Sequence, residues 1–138
     1  MPLPAPPLRR LLPALLGLLL ALGPTAAPAA ESLGTFRTQP NDQGQTGLVE
    51  FRDCGGRLCG RLVRSFDASG HEIASKNIGR DIVAGMTDQG GGRFGGGTIW
   101  DPGSDRTYRS KMRLEGDRLS VSGCVAVFCK SQVWTRAR

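Results

Sequence analysis

Polar and apolar side chains alternate from Thr107 to Glu115, with Tyr108, Ser110, Met112 and Leu114 on one face and Arg109, Lys111, Arg113 and Glu115 on the other. A period of two is that of a strand buried on one side and charged on the other. Gly116-Asp117 reads as a tight turn, after which Leu119 and Val121 alternate with Arg118, Ser120 and Ser122. Similar runs predict strands over Leu48–Asp53, Leu58–Arg64 and Phe94–Trp100, with Gly34–Thr38 first and Gln132–Arg136 last. Asp81–Met86 reads either as a weaker strand or as a short helical turn. Turn-forming clusters, Pro40 to Gly44 and Asp101 to Ser104 among them, separate these runs, and no segment keeps a 3.6-residue period over three turns. Many short strands imply a sandwich or a barrel. A sandwich of so short a chain would expose two sheet edges, which closure abolishes. The expected fold is all-β: a small eight-stranded antiparallel up-and-down barrel.

The N-terminus follows another pattern. Arg9 and Arg10 precede an apolar stretch from Leu11 to Leu22, and Thr25 to Ala30 are small residues or proline. That order is the layout of a secretory signal peptide. The apolar core is about a dozen residues, too short to cross a bilayer roughly 30 Å thick at 1.5 Å per residue. Ala27 and Ala29 predict cleavage after Ala29, which makes residues 1–29 the signal and 30–138 a single domain in the periplasm, with no membrane span. The first cysteine after the apolar core is Cys54, too distant for a lipoprotein anchor.

Composition adds limits. The 138 residues allow one domain and little more, and 39% hydrophobic with 22% charged residues is ordinary for a globular chain. The formal net charge of +6 falls by two if Arg9 and Arg10 are removed, leaving a modestly basic protein. An exported protein of this kind is not expected to meet nucleic acid; the charge serves solubility or attraction to envelope polyanions.

Cys54, Cys59, Cys124 and Cys129 form two C-x4-C pairs. An even count in a small exported domain reads as two disulfides, for which three connectivities exist. The local pairing is favoured because each pair brackets an expected hairpin turn, and each bridge should contribute roughly 2 kcal/mol. The register of the first hairpin is open. A two-residue turn at Gly55-Gly56 sets Glu50 opposite Arg61 and leaves the cysteines diagonal, whereas a four-residue turn opposes them directly but sets Arg52 against Arg61. Zinc would want tighter cysteine spacing or histidines, and His71 is the one histidine, so no metal is expected.

Other motifs weigh little. Gly90, Gly92 and Gly95 spell GxGxxG, but a strand rather than a helix follows, so no nucleotide cofactor is expected. His71 lies in a polar stretch that reads as a loop. Asp101 and Asp105 flank a turn and could act as an acid/base pair, but an aspartate before proline more often starts the turn through its side chain. Arg109, Lys111 and Arg113 read as a solvated, edge-protecting face. With no convergent set of titratable groups, no catalytic residue is nominated and an enzyme is not expected.

Several blocks in order resemble the bacterial exported family known as domain of unknown function 2147. They are Cys54 to Val63 (CGGRLCGRLV), Gly96 to Ser104 (GGTIWDPGS) with Tyr108, Leu119 to Cys124 (LSVSGC) and Gln132 to Arg136 (QVWTR). Gly34-Thr35-Phe36 with Trp134-Thr135-Arg136 also resembles the pairing of a first-strand G-x-W with a last-strand arginine in lipocalin-like barrels. The resemblance spans Gly34 to Arg136 and implies a lipocalin-like barrel, export to the periplasm and no assigned activity. Two positions depart from it: Phe36 stands where tryptophan is more usual, and Asp105-Arg106 where a glycine-lysine pair is commoner.

Eight aromatic residues are spread nearly one per strand, and they either line a cavity or fill the barrel, since eight strands enclose about what side chains alone can fill. The expected function is non-enzymatic binding of a small apolar or amphipathic ligand at the barrel mouth, with Phe51, Leu62, Tyr108 and Met112 nominated as lining on inward parity. The alternative is an envelope interaction module with a filled barrel, docking or forming a homodimer through the rim loops Asp101–Arg106 and Gly90–Arg93.

Overall fold

A computed structural model describes residues 1–7, 9, 10, 12–23 and 33–138. Residues 12–23 form no strand or helix, and the expected cleavage site after Ala29 lies outside the described residues. No helix among the described residues is long and apolar enough to cross a membrane.

From Thr35 onward the chain is strands and turns. In order they are β1 (Thr35–Arg37), β2 (Thr46–Asp53), β3 (Leu58–Phe66), β4 (Glu72–Ile73), β5 (Asp81–Gly90), β6 (Arg93–Asp101), β7 (Arg106–Glu115), β8 (Arg118–Val125) and β9 (Phe128–Arg136). Around the barrel each strand pairs antiparallel with the next in sequence, except that β3 passes over β4 to pair with β5; β1 pairs with both β2 and β9, and so closes the ring. The result is the closed eight-strand antiparallel barrel expected from the alternation, with β4 appended to the end of β3. β4 falls in the stretch that reads as a loop. The ambiguous Asp81 segment is a strand that runs on to Gly90, and its pairing with β3 shifts register twice between Leu58 and Arg61.

The chain's turns sort into two ends. At one lie the β2–β3, β5–β6 and β7–β8 turns with the start of β1 and the finish of β9; at the other lie the segment before β2, the β3–β5 connection, and the β6–β7 and β8–β9 turns. The first end is packed. Phe36, Phe51, Leu119 and Trp134 are buried there with Leu33, the Phe36 and Phe51 rings meeting edge to face at 6.0 Å and the Phe51 and Trp134 rings at 6.4 Å. Arg136 closes this end. Its guanidinium lies 4.8 Å from the centre of the Phe36 ring, donates to the Leu33 carbonyl, and reaches Asp117 at 3.2 Å. The phenylalanine at this first-strand position therefore keeps the contact with the last-strand arginine.

Midway along the barrel Gly97 faces inward, where a Cβ would collide with Met86 Sδ and the Ala84 carbonyl, so the glycine makes room for buried Met86. Among the described residues every buried hydrophobic residue lies between Leu33 and Trp134, so the barrel carries a core of its own.

Cys54 joins Cys59 and Cys124 joins Cys129, with Cα separations of 5.8 and 4.1 Å. The first hairpin takes the register with Glu50 opposite Arg61 and Phe51 opposite Gly60, which leaves its cysteines diagonal; in the second, Cys124 and Cys129 oppose each other directly.

Candidate functional site

The open end encloses a cavity of about 1110 Å³. Inward alternation supplies most of its wall, with Val49 from β2, Leu62 from β3, Ile99 from β6, Tyr108 from β7, Val121 from β8 and Trp134 from β9, while Ile82 joins them from the register shift at the start of β5. The rim is largely polar, with Gln39, Asn41 and Asp42 before β2, Asp101 at the end of β6 followed by Gly103 and Ser104, and Lys130 and Gln132 on β9, although Val125 and Phe128 of the β8–β9 hairpin also reach it. Gln132 and Lys130 stand opposite Val121 and Gly123, so the pleat turns both inward with Trp134. Gln132 accepts the Trp134 indole N–H at 3.0 Å, which fixes the ring on the wall. Among the described residues Lys130 is the one cation lining the cavity, against Asp42 and Asp101 at the rim.

The wall opens sideways as well. β1 pairs with β9 only at Thr135 and Arg136, and the chain then leaves β9 as Thr38 donates to the Gly47 carbonyl of β2. The amide of Val133 donates instead to the Gln39 side chain at 3.0 Å, a substitute for the missing strand partner. Above that point β9 is exposed from Phe128 to Val133, although β8 pairs with all of it.

Of the four nominated lining residues, Leu62 and Tyr108 stand on the cavity wall, while Phe51 and Met112 do not. Phe51 and Met112 do point inward, but they are buried in the packed core at 5% and 3% exposure. Parity tells in from out; it does not tell how far along the axis a residue sits. Ser110 follows Tyr108 on the same inward face, and its buried Oγ has no hydrogen-bond partner among the described residues. Between two half-strand levels, this hydroxyl divides the open half from the filled one. Sequence reading missed Val49, Ile82, Ile99, Val121, Lys130 and Gln132. Ile99 and Val121 carried a signal, since each shares the inward parity of a nominated neighbour across the ladder, Ile99 opposite Tyr108 and Val121 opposite Met112. The aromatic residues divide as well: Phe36, Phe51 and Phe94 are buried in the core, whereas Trp100, Tyr108, Phe128 and Trp134 border the cavity.

The weaker motifs take ordinary roles. GxGxxG is the β5–β6 turn. Asp101 accepts from the Gly103 amide and the Ser104 hydroxyl, at 3.0 and 2.8 Å, and so starts its turn, while Asp105 accepts the Trp100 indole N–H at 2.8 Å; the two carboxylates serve separate partners. His71 is exposed, 3.7 Å from Asp67. Arg109, Lys111 and Arg113 are exposed, and the last two border a groove of about 360 Å³ together with Gln89, Arg93, Ser120 and Ser122, with Phe94 and the nominated Met112 also on its lining. The two loops grouped as one rim belong to opposite ends, Asp101–Arg106 to the open end and Gly90–Arg93 to the packed end. Among the described residues no cluster of three or more His, Cys, Asp or Glu side chains could hold a metal ion.

Among solved structures, protein HP1028 from Helicobacter pylori, described as belonging to the lipocalin family, matches with a TM-score of 0.60 at 16% identity, over 76% of this chain and 82% of that one. At that identity the likeness speaks for the fold alone, and the fold is lipocalin-like. No curated protein matches the sequence. The profile of a family described as uncharacterized protein conserved in bacteria (DUF2147) matches residues 34–136, the whole of the barrel, and the chain belongs to that family.

Proposed function

We propose that this protein is an exported, non-enzymatic carrier that takes a small apolar or amphipathic ligand tail-first into the open half of its barrel. The observation that carries this reading is the cavity itself: about 1110 Å³, open at one end, with an inner wall of aliphatic and aromatic side chains and a polar rim. Binding sites for small molecules have this make-up. Burial of a ligand's apolar surface against Leu62, Ile82, Ile99 and Val121 would supply about 25 cal/mol per Å², from which ordering costs are subtracted. The polar end of the ligand would stay at the rim, where Lys130, Gln132 and Gln39 offer a charge and hydrogen bonds. Residues 1–29 would deliver the chain to the periplasm, an oxidising compartment in keeping with two disulfides and no unpaired cysteine.

Titration with a fluorescent fatty-acid analogue tests the reading. Saturable binding is expected, and Ile99→Trp, which adds bulk to a half-buried wall position, should weaken it at least tenfold while the far-ultraviolet circular dichroism is unchanged. Failure of the native barrel to bind any amphiphile offered would overturn it.

A further inference from the structure

The β8–β9 turn is unlike the other hairpin turns. The β2–β3, β5–β6 and β7–β8 turns use Gly55-Gly56, Gly91-Gly92 and Gly116-Asp117, the residues that tight turns ordinarily select. The β8–β9 turn is Ala126-Val127, closed by the pair Val125 and Phe128. Ala126 adopts φ 53°, a left-handed conformation for which glycine or asparagine would be better suited. The side chains point into solvent: Val125 is 62% exposed, Val127 87% and Phe128 79%. From Leu33 onward the other large hydrophobic residues that are exposed are Ile78 and Val133, at 43% and 45%. The folded barrel thus gains no burial from the tip, and an apolar tip is not what the turn geometry requires. Directly beneath it, Cys124–Cys129 ties the two strands together and holds the tip as a stiff finger.

We propose that this finger docks the protein on an anionic lipid bilayer, with Val125, Val127 and Phe128 inserted at the headgroup level. Two observations favour a bilayer over a second copy of the chain. Three side chains fall far short of the roughly 800 Å² per partner that a stable protein interface buries, whereas a bilayer takes a small protruding apolar tip without needing a matched surface. The surroundings also carry cations suited to anionic headgroups. Arg109 pairs in register with Cys124, Lys130 lies two residues after Phe128, and Arg106 opens the adjoining strand; none has an ion-pair partner among the described residues. The acidic groups on the next hairpin, Asp101 and Asp105, face Gly103, Ser104 and Trp100 of their own turn. Phe128 and Lys130 also border the cavity, so a protein docked through the finger presents its mouth to the lipid.

Docking does not depend on the carrier reading, and the test separates the two. The barrel from residue 30 onward, without the apolar N-terminal stretch, is sedimented with vesicles of phosphatidylglycerol and phosphatidylethanolamine, and in parallel with neutral phosphatidylcholine vesicles. We expect binding to the anionic vesicles, several-fold weaker binding to neutral ones, and a further fall as salt is raised. The double variant Val127→Asp with Phe128→Asp, at exposed positions that bury nothing, should lose at least tenfold; Arg109→Glu should lose several-fold at low salt only. Fluorescent fatty-acid binding by Val127→Asp alone, which leaves the cavity-bordering Phe128 in place, reports on the cavity separately. A barrel that stays in the supernatant with anionic vesicles, or a double variant that sediments like the native protein, overturns the proposal. So does a native dimer in analytical ultracentrifugation that the double variant abolishes without any vesicle binding, since that outcome assigns the tip to self-association.

Discussion

At one end of the barrel Phe36, Phe51, Leu119 and Trp134 interlock beneath Arg136; at the other, alternate residues of the same strands surround open space. The two disulfides follow the division. Cys54–Cys59 sits diagonally across the packed-end hairpin with Cys59 buried, and Cys124–Cys129 braces an exposed hairpin at the open end. An eight-stranded barrel is near the size that side chains fill completely. Concentrating large side chains at one level lets that level hold the fold together, and this leaves the other level room for a ligand. Stability and binding are then separable along the barrel axis, which substitutions can test.

The largest difference should come from aromatic residues. Trp134→Ala removes a ring shared by the packed core and the cavity floor and should cost about 3–5 kcal/mol. Tyr108→Ala, on a half-buried wall residue beside open space, should cost about 1 kcal/mol. Urea unfolding midpoints of the two variants make the comparison, and equal losses would break the division. A smaller difference is expected between glycines. Gly92 at the packed end has φ +77°, and a Cβ there would lie 2.6 Å from the Leu114 carbonyl oxygen, so Gly92→Ala should cost about 2 kcal/mol. At Gly123 in the open half, the nearest atoms are Ile99 Cγ2 at 3.3 Å and Tyr108 Cβ at 3.4 Å, on side chains that border the cavity and can give way. Gly123→Ala should change stability by less than about 0.5 kcal/mol, read from the same midpoints.

The smallest effect is electrostatic. Hydrogen bonds from Arg138 and then Arg136, with the charges of both, hold the Asp117 carboxyl below the usual carboxylate range at the packed end. Because the folded value is the lower one, the contribution of this group is complete above the unfolded carboxylate value, about 3.9, and fades as pH falls through the folded value. Asp117→Asn should therefore lower the urea midpoint slightly at pH 7 and by less near pH 2. A deficit that stayed constant between those pH values would show that the charge is irrelevant there.

Much of the barrel was legible in the chain because strand alternation is a local signal. Arg109, Lys111 and Arg113 are exposed where the period of two puts them, and the turn at Gly116-Asp117 falls where a glycine next to an aspartate predicts. Asp81 to Gly90 was harder because Ala84-Gly85 interrupts the alternation, and the register shifts opposite it show the same irregularity in three dimensions. The site was only half legible. Leu62 and Tyr108 line the cavity and Phe51 and Met112 do not, although all four face inward. The apolar finger escaped notice because its six residues read simply as a disulfide-closed hairpin, and exposure is not a property of a hairpin in isolation.

Alternation, turn residues and cysteine spacing together determined the all-β class, the closed antiparallel ladder and which side of each strand faces in, because each depends on neighbours within a few residues. Whether the interior is filled at a given height depends on how strands distant in sequence are staggered against one another. Register shifts, the early departure of β1 from β9, and the level at which Phe36, Phe51 and Trp134 meet are set by that stagger. The tertiary structure alone therefore decided that one half of the barrel is a core and the other a cavity.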